Sequence, residues 1–171
     1  MATQAEAMRC AAPGVAGVGG AADGLPMVRL ESARFGTMEV PSTSIFELDD
    51  GLIGMPELRR FVLLDHRPGS RLKFMLSVDD PEVAFVVANP CDFVPAYEPQ
   101  LERAARALGT PVAEVGLFCL VTVPSNPLDM TINLMAPVAV DLATLRARQL
   151  VHDEHGLDPA HRILPAAPPE G

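Results

Sequence analysis

Between residues 27 and 151, short runs rich in Val, Ile, Leu, Phe and Thr recur, each cut off by Gly, Pro, Asn or Asp. The spacing is roughly 8–12 residues, the rhythm of an all-β sandwich or barrel. Runs this short cannot bury themselves as helices, so they need neighbouring strands to satisfy their backbone. MVRLESARFGTMEVP (residues 27–41) predicts two strands joined at Arg34-Phe35-Gly36, where glycine permits the positive φ of a tight turn. SIFEL is a third. DDGLIGMPELRR, with two glycines and a proline, is a loop with one helical turn after Pro56. RFVLLDH, RLKFMLSVDD and PEVAFVVANP follow as strands, the last two broken at Asp80-Pro81, where proline keeps the preceding residue out of the α region.

One stretch breaks this rhythm. In YEPQLERAARALGT, Leu101, Ala104, Ala105 and Leu108 form an i, i+3, i+4, i+7 stripe, and Gly109 suits a helix C-terminus. EVGLFCLVTVP, MTINLMAPVAVDL and RARQLVH then return to strand material. The expected fold is mainly β: a small barrel-like domain of short, mostly antiparallel strands with one helix near residues 97–108. Residues 1–26 are rich in Ala and Gly and lack any period, so they are expected to form a disordered extension. Residues 152–171 are polar and Pro-rich and are expected to be a tail, leaving 27–151 as the domain.

The chain has 171 residues, 49% of them hydrophobic, which suits one domain with its own core. No apolar run approaches the roughly 18 residues of a membrane-spanning helix. The N-terminus has no apolar stretch after a basic start, so a signal peptide is not expected and a cytoplasmic location is. Three widely spaced cysteines make no disulfide framework, and Cys119, inside GLFCLVTV, reads as a small buried hydrophobe.

The formal net charge is −9, against the basic footprint that direct nucleic-acid binding requires. From Phe74 to Leu145 there are nine acids and two bases, Arg103 and Arg106, a local net of −7. Such a surface draws in a basic partner by long-range attraction.

Catalytic chemistry finds little purchase. Asp79 and Asp80 are adjacent, and neighbouring strand residues point to opposite faces, so a turn before Pro81 explains them better than paired carboxylates. Asp65-His66 has no nucleophile elbow to serve. His152, His155 and His161 in HDEHGLDPAH match no established zinc spacing. Gly51-Leu52-Ile53-Gly54 lacks the Lys-Ser/Thr of a phosphate loop. A binding protein without catalytic residues, cofactor or metal is expected; the alternative is a small metal-dependent hydrolase using Asp79 and Asp80 or the His-rich tail.

Four stretches taken together carry a resemblance: ARFGTMEV, DDGLIGMPELRRFVLLDH, LKFMLSVDDPEVAFVVANP and LVTVPSNPLDMTINLMAPVAVDLATLRARQLV. In order and spacing they resemble the flagellar assembly factor FliW family over roughly residues 29–151. The tail HDEHGLDPAHRIL and the N-terminal extension depart from that pattern. The resemblance implies a non-catalytic, barrel-like regulator, monomeric when free. It implies binding to flagellin, near its C-terminal end, and to the translational regulator CsrA, whose repression of flagellin synthesis it relieves. The residues expected to meet a partner are the turn acids Asp79, Asp80 and Glu82. With them stand Asp92, Phe93, Tyr97 and Glu98 in the loop before the helix, and Asp129 in SNPLD.

Overall fold

The computed structural model describes residues 24, 26–153 and 156–163. Its strands are β1 (Met27–Ser32), β2 (Gly36–Pro41), β3 (Ile45–Leu48), β4 (Arg60–Asp65), β5 (Leu72–Ser77) and β6 (Ala84–Ala88). After the helix α1 (Pro99–Leu108) come β7 (Val115–Thr122), β8 (Thr131–Ile132), β9 (Val138–Asp141), β10 (Arg146–Gln149) and β11 (His161–Arg162). The mainly β expectation is met, and α1 is the one α-helix among the described residues.

The strands β7, β6, β5, β4, β3, β10 and β9 pair in that order, and β9 returns to β7 to close a barrel. Every pairing around it is antiparallel except β3 with β10. Closure leaves no free edge around the ring, which removes the main aggregation hazard of an exposed sheet. Inside, Phe46, Phe61, Leu63, Met75, Val87 and Phe118 pack together. The GLIG loop serves as a plug: Leu52 and Leu58 join this core, and the Leu52 N–H donates to the Leu58 carbonyl at 3.1 Å. Gly51 is required there. Its φ is +73°, and a Cβ would stand 2.4 Å from the Pro56 carbonyl oxygen.

Several strands are apolar on both faces, and the reason is that the barrel is covered outside as well as filled within. In β4, Phe61 and Leu63 face inward while Val62 and Leu64 face outward, and all four are buried. The β1–β2 hairpin covers that outer face with Leu30 and Val40. On the far side, α1 lays Leu101, Ala104 and Ala105 against Val115, Leu117, Cys119 and Ala139. Alternation is thereby replaced by continuous apolar runs, as in any strand buried on both faces. The helix ends where Gly109 adopts φ +69°, and its N–H reaches the Ala105 carbonyl.

Two features differ from the sequence reading. The strand material of MTINLMAPVAVDL is interrupted from Asn133 to Pro137, so that β8 and β9 pair separately. The fold also continues past residue 151. His152 is 1% exposed, β11 pairs with β8, and Ile163 packs into the helix-side core. These strands are two residues long and meet across a long loop, so no local periodicity announces them. The expected extension over residues 1–26 lies almost wholly outside the described residues.

Candidate protein-interaction surfaces

The acids singled out in the sequence fall at opposite ends of the β5–β6 pair. At one end, the β5–β6 turn is built from its own polar groups. The Asp80 N–H donates to Ser77 Oγ at 3.0 Å, and the Glu82 N–H to Asp80 Oδ1 at 3.2 Å. Asp79 reaches across to β4. Its Oδ2 accepts from the Arg59 and Arg60 N–H groups at 2.9 and 2.8 Å, and its Oδ1 from Arg60 Nε at 2.9 Å. Burial pushes this carboxyl up, but the backbone N–H bonds and the Arg60 guanidinium outweigh it and hold its pKa below the usual range. Glu82 ties down the hairpin, its Oε1 accepting the Ala33 N–H at 2.7 Å. All three acids thus satisfy local backbone N–H groups.

The other end is laid out differently. Asn89 closes β6, and its Oδ1 accepts the Cys91 N–H at 2.9 Å. Two single 3₁₀ turns follow, Pro90–Asp92 and Pro95–Tyr97, each opened by a proline whose missing N–H costs a helix start nothing. Tyr97 swings into the core at 1% exposure and donates its hydroxyl to the Leu134 carbonyl at 2.7 Å. It therefore anchors the double turn and is not presented to a partner, which corrects the sequence placement. Burial holds the phenol far above its normal pKa, so it remains a neutral donor. Burial likewise pushes the adjacent Cys119 thiol up to about 12, more than its hydrogen bond with Tyr97 lowers it, and such a thiol is unreactive.

With Tyr97 fixed, its neighbours stay at the surface. Phe93 is half-buried under the Arg71 guanidinium, 5.8 Å from the ring centre, and Arg71 Nη1 donates to the Asp92 carbonyl at 3.3 Å. The Asp92 carboxyl is raised by loss of water, which outweighs the charges of Arg71 and Lys73. Phe93 forms part of a groove of about 470 Å³ whose floor includes Leu72, Met130 and Ile163 and whose lip carries Arg67 and Arg71. Asp129 lies beside it in the turn Pro127–Asp129 and pairs with Arg162 at 2.5 Å.

Beyond Tyr97 the surface changes sign. Glu98, Pro99, Leu101, Glu102 and Val112 line a hollow of about 530 Å³ at the start of α1. Acids in a first helical turn also complement the helix dipole. With its apolar floor, this hollow is an acidic shelf that sequence reasoning found only in part: Glu98 was expected, while Glu102 and Val112 were not. The helical spacing of Glu98 and Glu102 was the available signal.

The histidines do not converge. His152 packs beside Tyr97, ring centres 6.4 Å apart, and His161 sits in β11; His155 lies outside the described residues. Among the described residues no group of three or more His, Cys, Asp or Glu is placed to hold a metal ion. No helix among them is long and apolar enough to cross a membrane.

Comparison with known proteins follows the fold closely. The family model described as FliW protein matches residues 29–163, which includes β11. The flagellar assembly factor FliW of Heliobacterium modesticaldum is 31% identical over 142 residues, covering 82% of this chain and 93% of that protein. That of Symbiobacterium thermophilum is 36% identical over 119 residues, covering 67% and 86%. A crystal structure of a flagellar assembly factor FliW superposes with a TM-score of 0.69 at 24% identity, covering 81% of this chain and 98% of that one.

Proposed function

The chain belongs to the FliW family, and from that premise we propose that it is a flagellar assembly factor that works by binding other proteins in the cytoplasm. Its partners under this reading are flagellin and a CsrA-type translational regulator, so that release from one permits engagement of the other. The family match across the whole described barrel carries the proposal. The acidic shelf supports it independently. A regulator that grips RNA offers positive surface, and Glu98 and Glu102 offer the opposite charge around the accessible apolar atoms of Pro99 and Val112.

In this arrangement the chain performs no bond chemistry. Charge on the shelf speeds encounter, and the apolar floor sets residence time. Asp92, Phe93 and Asp129 remain contact residues of the same end of the barrel. Asp79, Asp80 and Glu82 hold the β5–β6 turn and the β1–β2 hairpin through backbone bonds, a structural role beside any contact with the partner.

Calorimetric titration of the full chain with flagellin and with the CsrA-type protein of the same bacterium tests the proposal. Micromolar or tighter binding to at least one, together with competition where both bind, is the expected result. Absence of binding to both at that concentration overturns it.

A further inference from the structure

In an acidic protein, the groove between the β4–β5 turn and the double 3₁₀ turn is out of character. Its floor is apolar: Met130 is 9% and Ile163 3% exposed, with Leu72 and Phe93 half-buried beside them. Its lip is basic, and among the described residues neither Arg67 nor Arg71 enters an ion pair. Arg71 is held in place by the Phe93 ring and the Asp92 carbonyl, which engage one face and Nη1. Arg71 is exposed and its side chain makes no other hydrogen bond to the described residues, which leaves guanidinium N–H groups for a carboxylate. Gly69, at φ +75°, turns the chain so that Arg67 and Arg71 flank the same opening.

We propose that this groove binds a short segment of a partner protein in which an aliphatic or aromatic side chain lies next to an Asp or Glu. Charge complementarity selects that occupant. With a net charge of −9, the molecule repels an acidic segment over most of its surface and accepts one where two guanidiniums, in no ion pair among the described residues, border an apolar floor. The groove is thus a second docking surface of opposite preference to the acidic shelf, separated from it by the turn that Tyr97 anchors. The inference stands whether or not flagellin and the CsrA-type protein are the partners. Asp92, whose backbone carbonyl already holds Arg71, carries a carboxyl near Arg71 and Lys73, so it competes with the incoming carboxylate.

A displayed library of random twelve-residue peptides, selected on the full chain and counter-selected on the R71E variant, provides the test. The enriched peptides should carry Asp or Glu within three positions of Leu, Ile or Phe. A labelled consensus peptide should bind R67E and R71E at least tenfold more weakly than the unmodified chain at low salt, and D92N more tightly. R29E, a reversal on β1 outside the groove's lining, should leave it unchanged. A neutral or basic consensus, no enrichment, or equal weakening by R29E overturns the proposal. So does binding that requires removal of residues 164–171, because the groove's occupant is then the chain's own C-terminal segment.

Discussion

The two ends of the β5–β6 pair have similar composition and opposite uses. Both are acidic, both contain proline, and both link elements of the same barrel wall. At the Asp79–Glu82 end each carboxylate accepts a backbone N–H at 2.7–3.2 Å, so charge there is structural. At the Asn89–Glu98 end one aromatic residue goes inward and its neighbours stay out, so charge there faces solvent. What separates the two is the supply of unsatisfied backbone donors nearby. Arg59, Arg60 and Ala33 present N–H groups to the first end, whereas the second closes its own turns with Asn89 and two prolines.

The largest expected effect breaks the anchor of the open end. Tyr97→Ala removes a fully buried ring and strands the Leu134 carbonyl, which should cost about 3–5 kcal/mol. Tyr97→Phe keeps the ring and loses only the hydroxyl, so about 1 kcal/mol is expected. Denaturant unfolding of both variants checks the pair. If the two were equally destabilised, the hydroxyl and not the packed ring would be the anchor.

Next comes the closed end. Asp79→Ala leaves the Arg59 and Arg60 N–H groups without their acceptor and should cost about 2 kcal/mol, while peptide binding at the far groove is unchanged. This residue also marks what the sequence disclosed and what it hid. The turn at Asp80-Pro81 was legible, because Asp before Pro and the strand runs around it are local signals. Asp79's reach to Arg59 and Arg60, some twenty residues back, was not, because it depends on the β4–β5 register. The same contrast holds elsewhere. The Leu101-Ala104-Ala105 stripe and Gly109 announce α1 in sequence, whereas the inward turn of Tyr97 depends on a carbonyl 37 residues away. Closure through β7–β9, the parallel β3–β10 pair and the β8–β11 bridge are likewise long-range pairings of short strands.

Acid should sharpen the difference. The folded pKa of Asp79 lies below its unfolded value, so its stabilisation is complete above about pH 4 and is lost as pH falls through the folded pKa. Asp141 behaves alike: N–H bonds from Ala143 and Thr144, with hydroxyls of Thr144 and Thr110, outweigh the opposing effect of burial. Stability measured from pH 6 to pH 2 should therefore decline more steeply for the unmodified chain than for Asp79→Asn. Parallel curves would mean that the closed end does not depend on the charge of Asp79.

The smallest expected effect lies at the open end, and it is kinetic. Glu98 and Glu102 are exposed, and reversing them to lysine leaves the packing of Leu101 and Val112 unchanged. Reversing two like charges on the shelf converts attraction of a basic partner into repulsion, which acts on the encounter before contact is made. Stopped-flow association with the CsrA-type protein should slow several-fold at about 50 mM salt. The difference should shrink toward physiological and higher ionic strength, as the screening length falls to about 8 Å and below. Dissociation should change little, because the apolar floor is intact. Melting temperature should fall only modestly, since each acid lost from the start of α1 costs about 0.3–1 kcal/mol, whereas Asp79→Ala should lower stability and leave association unchanged, and this opposition is the decisive outcome. Had the closed end been the steering surface, neutralising Asp80, whose carboxylate accepts only the Glu82 N–H of its own turn, would slow association as much as reversing Glu98 does.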